Sequence, residues 1–229
     1  MPADNKVRWI GHAAFEIITS GGTRVMIDPW ITGNPACPDE LERFSDVDLL
    51  LITHDHFDHI GEDIPFLASK KGVTAAVQPE ILASLKKEGL KEGVGMNIGG
   101  TVPIGEIEIT MVQAFHSSNL GSPCGYIVTT EDGKKIYHAG DTGVFASMEV
   151  LGDMYDIDLA LLPIGSVFVM DPVQASFAVK MLRPKKVVPM HYGTFPALVG
   201  DPDDFVRLVA ENSPEVEVCV LDPGQDIKI

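Results

Sequence analysis

Cysteine is scarce in this chain: Cys37, Cys124 and Cys219 are odd in number and far apart. That spacing excludes a disulfide framework and a Cys-x-x-Cys metal knuckle, and fits reduced thiols packed as small apolar side chains. Long hydrophobic runs are also missing. Apolar residues make up 45% of the chain, yet no uninterrupted run approaches the roughly 18 residues that suggest a membrane span. The start, Met1-Pro2-Ala3-Asp4-Asn5-Lys6-Val7-Arg8-Trp9, goes almost directly into a strand pattern without the apolar stretch of a signal peptide. Cytoplasmic residence and no membrane partner are expected. Positive charge is the third shortage, with 17 Lys and Arg against 33 Asp and Glu for a net charge of −16. Such a surface repels nucleic-acid phosphates, so a small-molecule substrate is expected and a nucleic-acid partner is not. A homo-oligomer is compatible with the sequence and not required by it.

At 229 residues the chain is long enough to bury a full core, and one domain spanning 1–229 is the default. Short strands are expected at Val7 to Trp9, Phe15 to Ile18 and Arg24 to Ile27, followed by a Pro-containing loop from Thr32 to Asp39. The apolar run at Leu49 to Ile52 reads as a buried strand. Ile60 to Lys70 and Pro79 to Glu88 read as helices flanking a strand at Val73 to Val77. Three strands, Ile107 to Phe115, Gly125 to Thr130 and Lys135 to His138, follow, the last two joined by Glu131-Asp132-Gly133. Pro172 to Leu182 and Asp203 to Glu211 then read as helices, with strands at Lys186 to Met190 and Val216 to Leu221. Val47-Asp48-Leu49-Leu50-Leu51-Ile52 is echoed by Ile157-Asp158-Leu159-Ala160-Leu161-Leu162, one strand in each half of an α/β pattern.

The chemistry concentrates in Thr53-His54-Asp55-His56-Phe57-Asp58-His59, directly after the buried strand. Alternate residues of an extended chain share a face, so His54 and His56 can aim at one point, with Asp58 and His59 on the bend that follows. A lone histidine at a strand end is more often a hydrogen-bonded core residue than a ligand. Several imidazoles and carboxylates together would cost kilocalories each if buried unpaired, whereas coordination satisfies them jointly. Neutral imidazoles with carboxylates suit zinc, manganese or iron.

The order His-x-His-x-Asp-His, with His116 at a strand end, Asp141 in Gly-Asp-Thr and His191 in Met-His-Tyr-Gly, resembles the metallo-β-lactamase superfamily. The stretches Gly11-His12-Ala13, Tyr137-His138-Ala139-Gly140-Asp141-Thr142-Gly143 and Met190-His191-Tyr192-Gly193-Thr194-Phe195-Pro196 are similar to the predicted metal-dependent hydrolases grouped with ascorbate-6-phosphate lactonase. The resemblance implies an α/β fold, a four-layer αββα sandwich, and two divalent metal ions, zinc first and manganese or iron as alternatives. It further implies that His54, His56 and His116 hold one metal, that Asp58, His59 and His191 hold the other, and that Asp141 bridges them. No cysteine stands at a ligand position, a departure from the secreted lactamases.

The expected activity is hydrolysis of a small ester, lactone or phosphorylated metabolite by a hydroxide bridging two metal ions. Asp58 and His191 are the expected catalytic residues, Asp58 positioning the hydroxide and accepting its proton. A nuclease or cyclic-nucleotide phosphodiesterase is the alternative, and a non-hydrolytic di-iron redox or metal-binding protein is the alternative of another class. Four residues stand open between a supporting role and a structural one. His12 is placed equally in the substrate pocket or as a hydrogen-bonded strand-end histidine. His138 and Asp28 are read as supports for ligands, and Tyr192 as a packing residue with an oxyanion-donor role in second place.

Overall fold

The computed structural model describes residues 4–38, 40–44 and 46–229. Asp39, the far end of the expected loop, and the first three residues lie outside them. The strands are β1 (Lys6–Gly11), β2 (Ala14–Ile18), β3 (Arg24–Ile27), β4 (Leu49–Leu51), β5 (Thr74–Val77), β6 (Val94–Gly95) and β7 (Thr101–Ile104). They continue as β8 (Ile107–Gln113), β9 (Cys124–Thr129), β10 (Lys135–His138), β11 (Leu159–Pro163), β12 (Lys186–Met190), β13 (Glu217–Val218) and β14 (Asp226–Lys228). The helices are α1 (Phe57–Ile60), α2 (Ile64–Ala68), α3 (Pro79–Lys87), α4 (Met148–Met154), α5 (Pro172–Leu182) and α6 (Pro202–Asn212).

Two seven-stranded sheets form, in the orders β14-β1-β2-β3-β4-β5-β6 and β13-β12-β11-β10-β9-β8-β7. Period-two alternation explains how they stack. Leu49 and Leu51 face the other sheet, sharing a core with Phe15 of their own sheet and with Ile109, Tyr126 and Leu161 of the facing one. Leu50 and Ile52 point the opposite way, onto Leu67 of α2 and Ile81 and Leu85 of α3. On the second sheet Leu159 and Leu161 face inward, while Ala160 and Leu162 meet α4, α5 and α6 through Met148, Val179 and Phe205. Strands buried on both faces must be apolar throughout, which is why β4 and β11 stood out as continuous runs. The result is the expected four-layer αββα sandwich.

The repeated hexapeptide marks an internal repeat of the fold. β4 lies parallel between β3 and β5, and β11 lies parallel between β10 and β12. Asp48 Oδ2 accepts the backbone N–H of Arg24 at the start of β3, at 2.8 Å. Asp158 Oδ2 accepts that of Lys135 at the start of β10, at 3.0 Å. The same carboxylate therefore aligns the same strand pair in each half.

Several expectations are corrected. Ile60 to Lys70 is two pieces rather than one helix: Gly61 adopts φ 65°, and Asp63 Oδ2 turns back to accept the N–H groups of Ile31 and Thr32 at 2.9 and 2.8 Å. The strand before His116 ends at Gln113, so His116 sits in a loop rather than at the strand end. The strand expected at Val216 to Leu221 shortens to β13. β7, β14 and α4 were not expected. β7 pairs antiparallel with β8 across a Gly105-Glu106 turn, and β14 returns to pair with β1.

Candidate metal centre

Strand ends of both sheets deliver the candidate residues to one place. His54 follows Ile52 and a bend at Thr53 beyond β4, and His56 adopts extended backbone, φ −67° and ψ 149°, as the residue preceding α1. Asp58 and His59 occupy the single turn of that helix. Asp141 follows β10, and Gly140 there runs against the Cys124 carbonyl where no Cβ fits. His12, Asp28 and His191, one residue past β1, β3 and β12, have φ of 58°, 48° and 58°. Left-handed backbone at a non-glycine residue costs about 1–3 kcal/mol and persists where its surroundings over-determine it. Here the His191 N–H donates to the His12 carbonyl at 3.0 Å, which also accepts the Trp9 indole N–H at 2.9 Å.

Three overlapping groups of ligand atoms lie within 4.8 Å of one another: His54, His56 and His116; His12, Asp58, His59 and His191; and His54, His59 and Asp141. Asp141 Oδ2 is central, 3.0 Å from His191 Nε2, 3.3 Å from His59 Nε2 and 3.5 Å from His116 Nε2. These approaches are close but poorly aligned as hydrogen bonds. Asp141 Oδ1, His59 Nε2 and His191 Nε2 are buried without a hydrogen-bond partner. Converging donors that do not satisfy one another fit a cation, since one ion would satisfy all of them together.

Asp28 sets the rings. Its Oδ1 accepts the Thr53 N–H at 2.8 Å, and its Oδ2 accepts the Thr53 hydroxyl at 2.7 Å. The same Oδ2 lies 2.7 Å from His59 Nδ1. With its proton given to Asp28, Thr53 Oγ1 accepts from His54 Nδ1 at 3.0 Å. One buried carboxylate thereby holds the Nδ1–H of both His54 and His59, directly or through Thr53, and turns each Nε2 toward the centre.

Burial pushes His54 down to about 3 and His12 down to about 4, and it lowers His116 as well. These rings are neutral, as ligation requires. His59 goes the other way: burial opposes its charge, but Asp141 and Asp28 on its two nitrogens hold it well above 6.5. Asp141 remains ionised despite burial because His191 and His59 face it. In Asp58, burial is likewise outweighed by the hydrogen bond from His12 and the charge of His59. Two buried carboxylates flanking one ring favour positive charge at this point.

The other expected residues separate. His12 enters the centre: Nε2 lies 3.2 Å from Asp58 Oδ2, and Nδ1 lies 3.1 Å from the Thr194 hydroxyl. His138 stays outside it, fully buried. Gly140 N–H donates to its Nδ1 at 3.1 Å, and its Nε2 therefore carries the proton to the Ala13 carbonyl at 2.9 Å. It ties the β1–β2 turn to the Asp141 loop without touching a ligand. Tyr192 packs on Trp9, with ring centroids 5.5 Å apart, and is not among the residues lining the cleft. Asp55 Oδ1 accepts the Ser118 hydroxyl and the Asn119 N–H at 2.8 and 2.7 Å, fastening the His116 loop. Thr142 Oγ1 accepts the Phe115 N–H at 2.9 Å and latches the same loop to Asp141.

The centre opens into a cleft of about 490 Å³ lined by His56, Phe57, Asp58, His116, Ser117, Asp141, Phe168, His191 and Phe195. Sequence reasoning missed the three phenylalanines and Thr194. Phe57, Thr194 and Phe195 stand within or beside metal-ligand motifs, a local signal for the site; Phe168 carried no comparable mark. No helix among the described residues is long and apolar enough to cross a membrane.

Residues 23–192 match the family model described as the beta-lactamase superfamily domain. A "UPF0173 metal-dependent hydrolase" of Pyrobaculum islandicum is 46% identical over 229 residues, covering 98% of this chain and all of that protein. One from Rubrobacter xylanophilus is 40% identical, covering 99% and 98%. Among solved structures, Igni18, described as a novel metallo hydrolase from the hyperthermophilic archaeon Ignicoccus hospitalis, superposes with a TM-score of 0.90 at 40% identity, over 99% of each chain. With a matched domain across most of its length and relatives of this identity end to end, the chain belongs to the beta-lactamase superfamily and, within it, to the UPF0173 metal-dependent hydrolases.

Proposed function

We propose that this hydrolase works with two divalent cations, cleaving a small ester, a lactone or a phosphorylated metabolite. The convergence of buried, unpartnered nitrogen and oxygen atoms of His59, His191 and Asp141 carries this reading. His54, His56 and His116 would hold one ion, Asp58, His59 and His191 the other, and Asp141 both, with zinc the first expectation and manganese or iron the alternatives. When bound, such ions supply a water of lowered pKa and a Lewis acid for the substrate oxygen.

The chain's own groups supply the rest. Asp58, ionised and 3.2 Å from His12, accepts the proton released as water attacks and returns it to the leaving oxygen. His12, neutral, donates Nε2–H to Asp58 while its Nδ1 accepts from Thr194, which holds the carboxylate in one orientation. The His191 ring packs against His12, tilted 41° with centroids 3.8 Å apart, and is held by that contact. Ser117 lines the cleft without a His/Asp relay, so no protein nucleophile is needed.

The test is metal analysis of purified protein followed by turnover assays with zinc, manganese and iron supplied separately. Close to two ions per chain, and loss of turnover in Asp58→Ala, are expected. One ion per chain in fully loaded protein, all of it lost in His54→Ala, would overturn the two-metal reading.

A further inference from the structure

The cleft's remaining surface narrows the substrate, an inference that rests on the hydrolase reading above. Its lining contains no Lys or Arg. This is a property of whole segments rather than of a few positions. No Lys or Arg occurs between Arg43 and Lys70, between Lys91 and Lys134, between Lys135 and Lys180, or between Lys186 and Arg207. Those four stretches contain every lining residue. The one helix start that lines the cleft, that of α1 at Phe57, is a single turn and carries the acidic Asp58 within it. A phosphoryl group away from the reacting centre would meet phenyl rings and the Ser117 hydroxyl, and no Lys or Arg to bind it.

What the cleft presents instead is phenyl surface. Phe57 is 67% exposed and Phe168 is 56% exposed, and rings so placed gain free energy only when something apolar covers them. Their positions are built. Trp30, buried at 5% exposure, carries Phe195 stacked at 5.7 Å and Phe57 edge-on at 5.8 Å. Phe168 is held by a strained turn: Ser166 and Val167 have φ of 67° and 58°, an unfavourable conformation for a β-branched residue. Backbone bonds pin that turn at both ends, from Ser166 N to the Met170 carbonyl and from Met170 N to the Thr142 carbonyl, each 3.0 Å.

We propose that the substrate is an uncharged carboxylic ester or lactone bearing an aryl or bulky alkyl group, which lies against Phe57, Phe168 and Phe195 while the carbonyl reaches the His/Asp centre. The reaction consumes one water. Its oxygen forms the new bond to the carbonyl carbon, the acyl–oxygen bond breaks, and one proton passes through Asp58 to the leaving oxygen. The products are a carboxylic acid and an alcohol, or a hydroxy acid from a lactone.

The experiment compares phenyl acetate and γ-phenyl-γ-butyrolactone with γ-butyrolactone and 6-phosphogluconolactone on metal-loaded protein. The two aryl substrates should show kcat/KM at least tenfold above the other two. Phe168→Ala and Phe57→Ala should each reduce that preference about tenfold, chiefly through KM, and Phe168→Lys should shift it toward the phosphorylated lactone. Fluorescence of Trp30, beneath two of the walls, gives a readout independent of turnover: phenylacetate should bind at least tenfold more tightly than 6-phosphogluconate. Both probes carry a carboxylate, so the difference reports the remainder of each molecule. Faster turnover of the phosphorylated lactone, or tighter binding of 6-phosphogluconate, would overturn the substrate assignment and leave the hydrolase reading standing. No turnover of any ester, lactone or phosphoester with any of the three metals, with phenylacetate still preferred in binding, would sink the hydrolase reading and leave the apolar recognition intact.

Discussion

Asp28 shows how much a single carboxylate can decide. Its two oxygens accept from Thr53 N–H, Thr53 hydroxyl and His59, so every acceptor position facing those donors is used. In Asp28→Asn an amide NH2 must replace one oxygen, and either orientation sets donor against donor. We expect the two aligned imidazoles to lose their fixed tautomer and metal affinity to fall about 10–100-fold, read by competition with a chelating dye. The metal-free variant should also unfold about 2–3 kcal/mol more easily, from a buried donor left unpaired. An unchanged metal affinity would remove Asp28 from the centre's support. Sequence placed Asp28 near this role but not its partners, since Thr53 lies 25 positions away and only the β3–β4 pairing makes them neighbours.

At the scale of elements, the doubled hexapeptide predicts a doubled function for its acid. Asp158 is held below its ordinary value: burial opposes ionisation, but the Lys135 N–H and the Lys185 and Lys134 ammonium groups outweigh it. A carboxyl depressed on folding adds stability that is present above its unfolded pKa and lost as pH falls through the folded one. Asp158→Asn should therefore lower the unfolding free energy by its full amount at pH 7, about 1–2 kcal/mol. The gap to wild type should close as pH drops below the ordinary value of 3.8. A gap that widens on acidification would contradict the assignment. Gly165, just past β11, carries a different constraint, since a Cβ there would collide with the His191 carbonyl oxygen. Gly165→Ala should displace His191, weaken the second ion before the first in a metal titration, and cost about 1–3 kcal/mol as overpacking does. Loss of both ions in parallel would show that the displacement is not local.

For the whole molecule, the net charge of −16 sets the field in which any substrate arrives. Long polyanions must lie along that surface, whereas a small neutral molecule need not. We expect no stable binding of tRNA or duplex DNA at physiological salt, measured by filter binding with metals supplied. Efficient metal-dependent cleavage of structured RNA, with no turnover of small esters, would promote the nuclease alternative. Ion binding should also stabilise the fold by mass action, since ligands drawn from the ends of both sheets exist as a set only in the native state. A melting temperature unmoved by saturating zinc, manganese or iron would argue against a resident cation.

What the sequence determined by itself was local or repeated. The run from Leu49 to Ile52 announces a doubly buried strand because neighbours on both faces demand apolar residues, and the ligand-rich segment directly after it needs no long-range information to be seen. The paired hexapeptides disclose two similar halves for the same reason. Tertiary structure alone decided the rest. It placed His12 against Asp58 and left His138 tying backbone to backbone, although both are histidines at or beside strand ends. It broke one expected helix at Gly61, where Asp63 bonds across to Ile31 and Thr32. It brought Phe57, Phe168 and Phe195, separated by most of the chain, into one wall. Periodicity reports which face of an element is buried, but not which distant segment will cover it; that is settled when two sheets close and their strand ends must share one space.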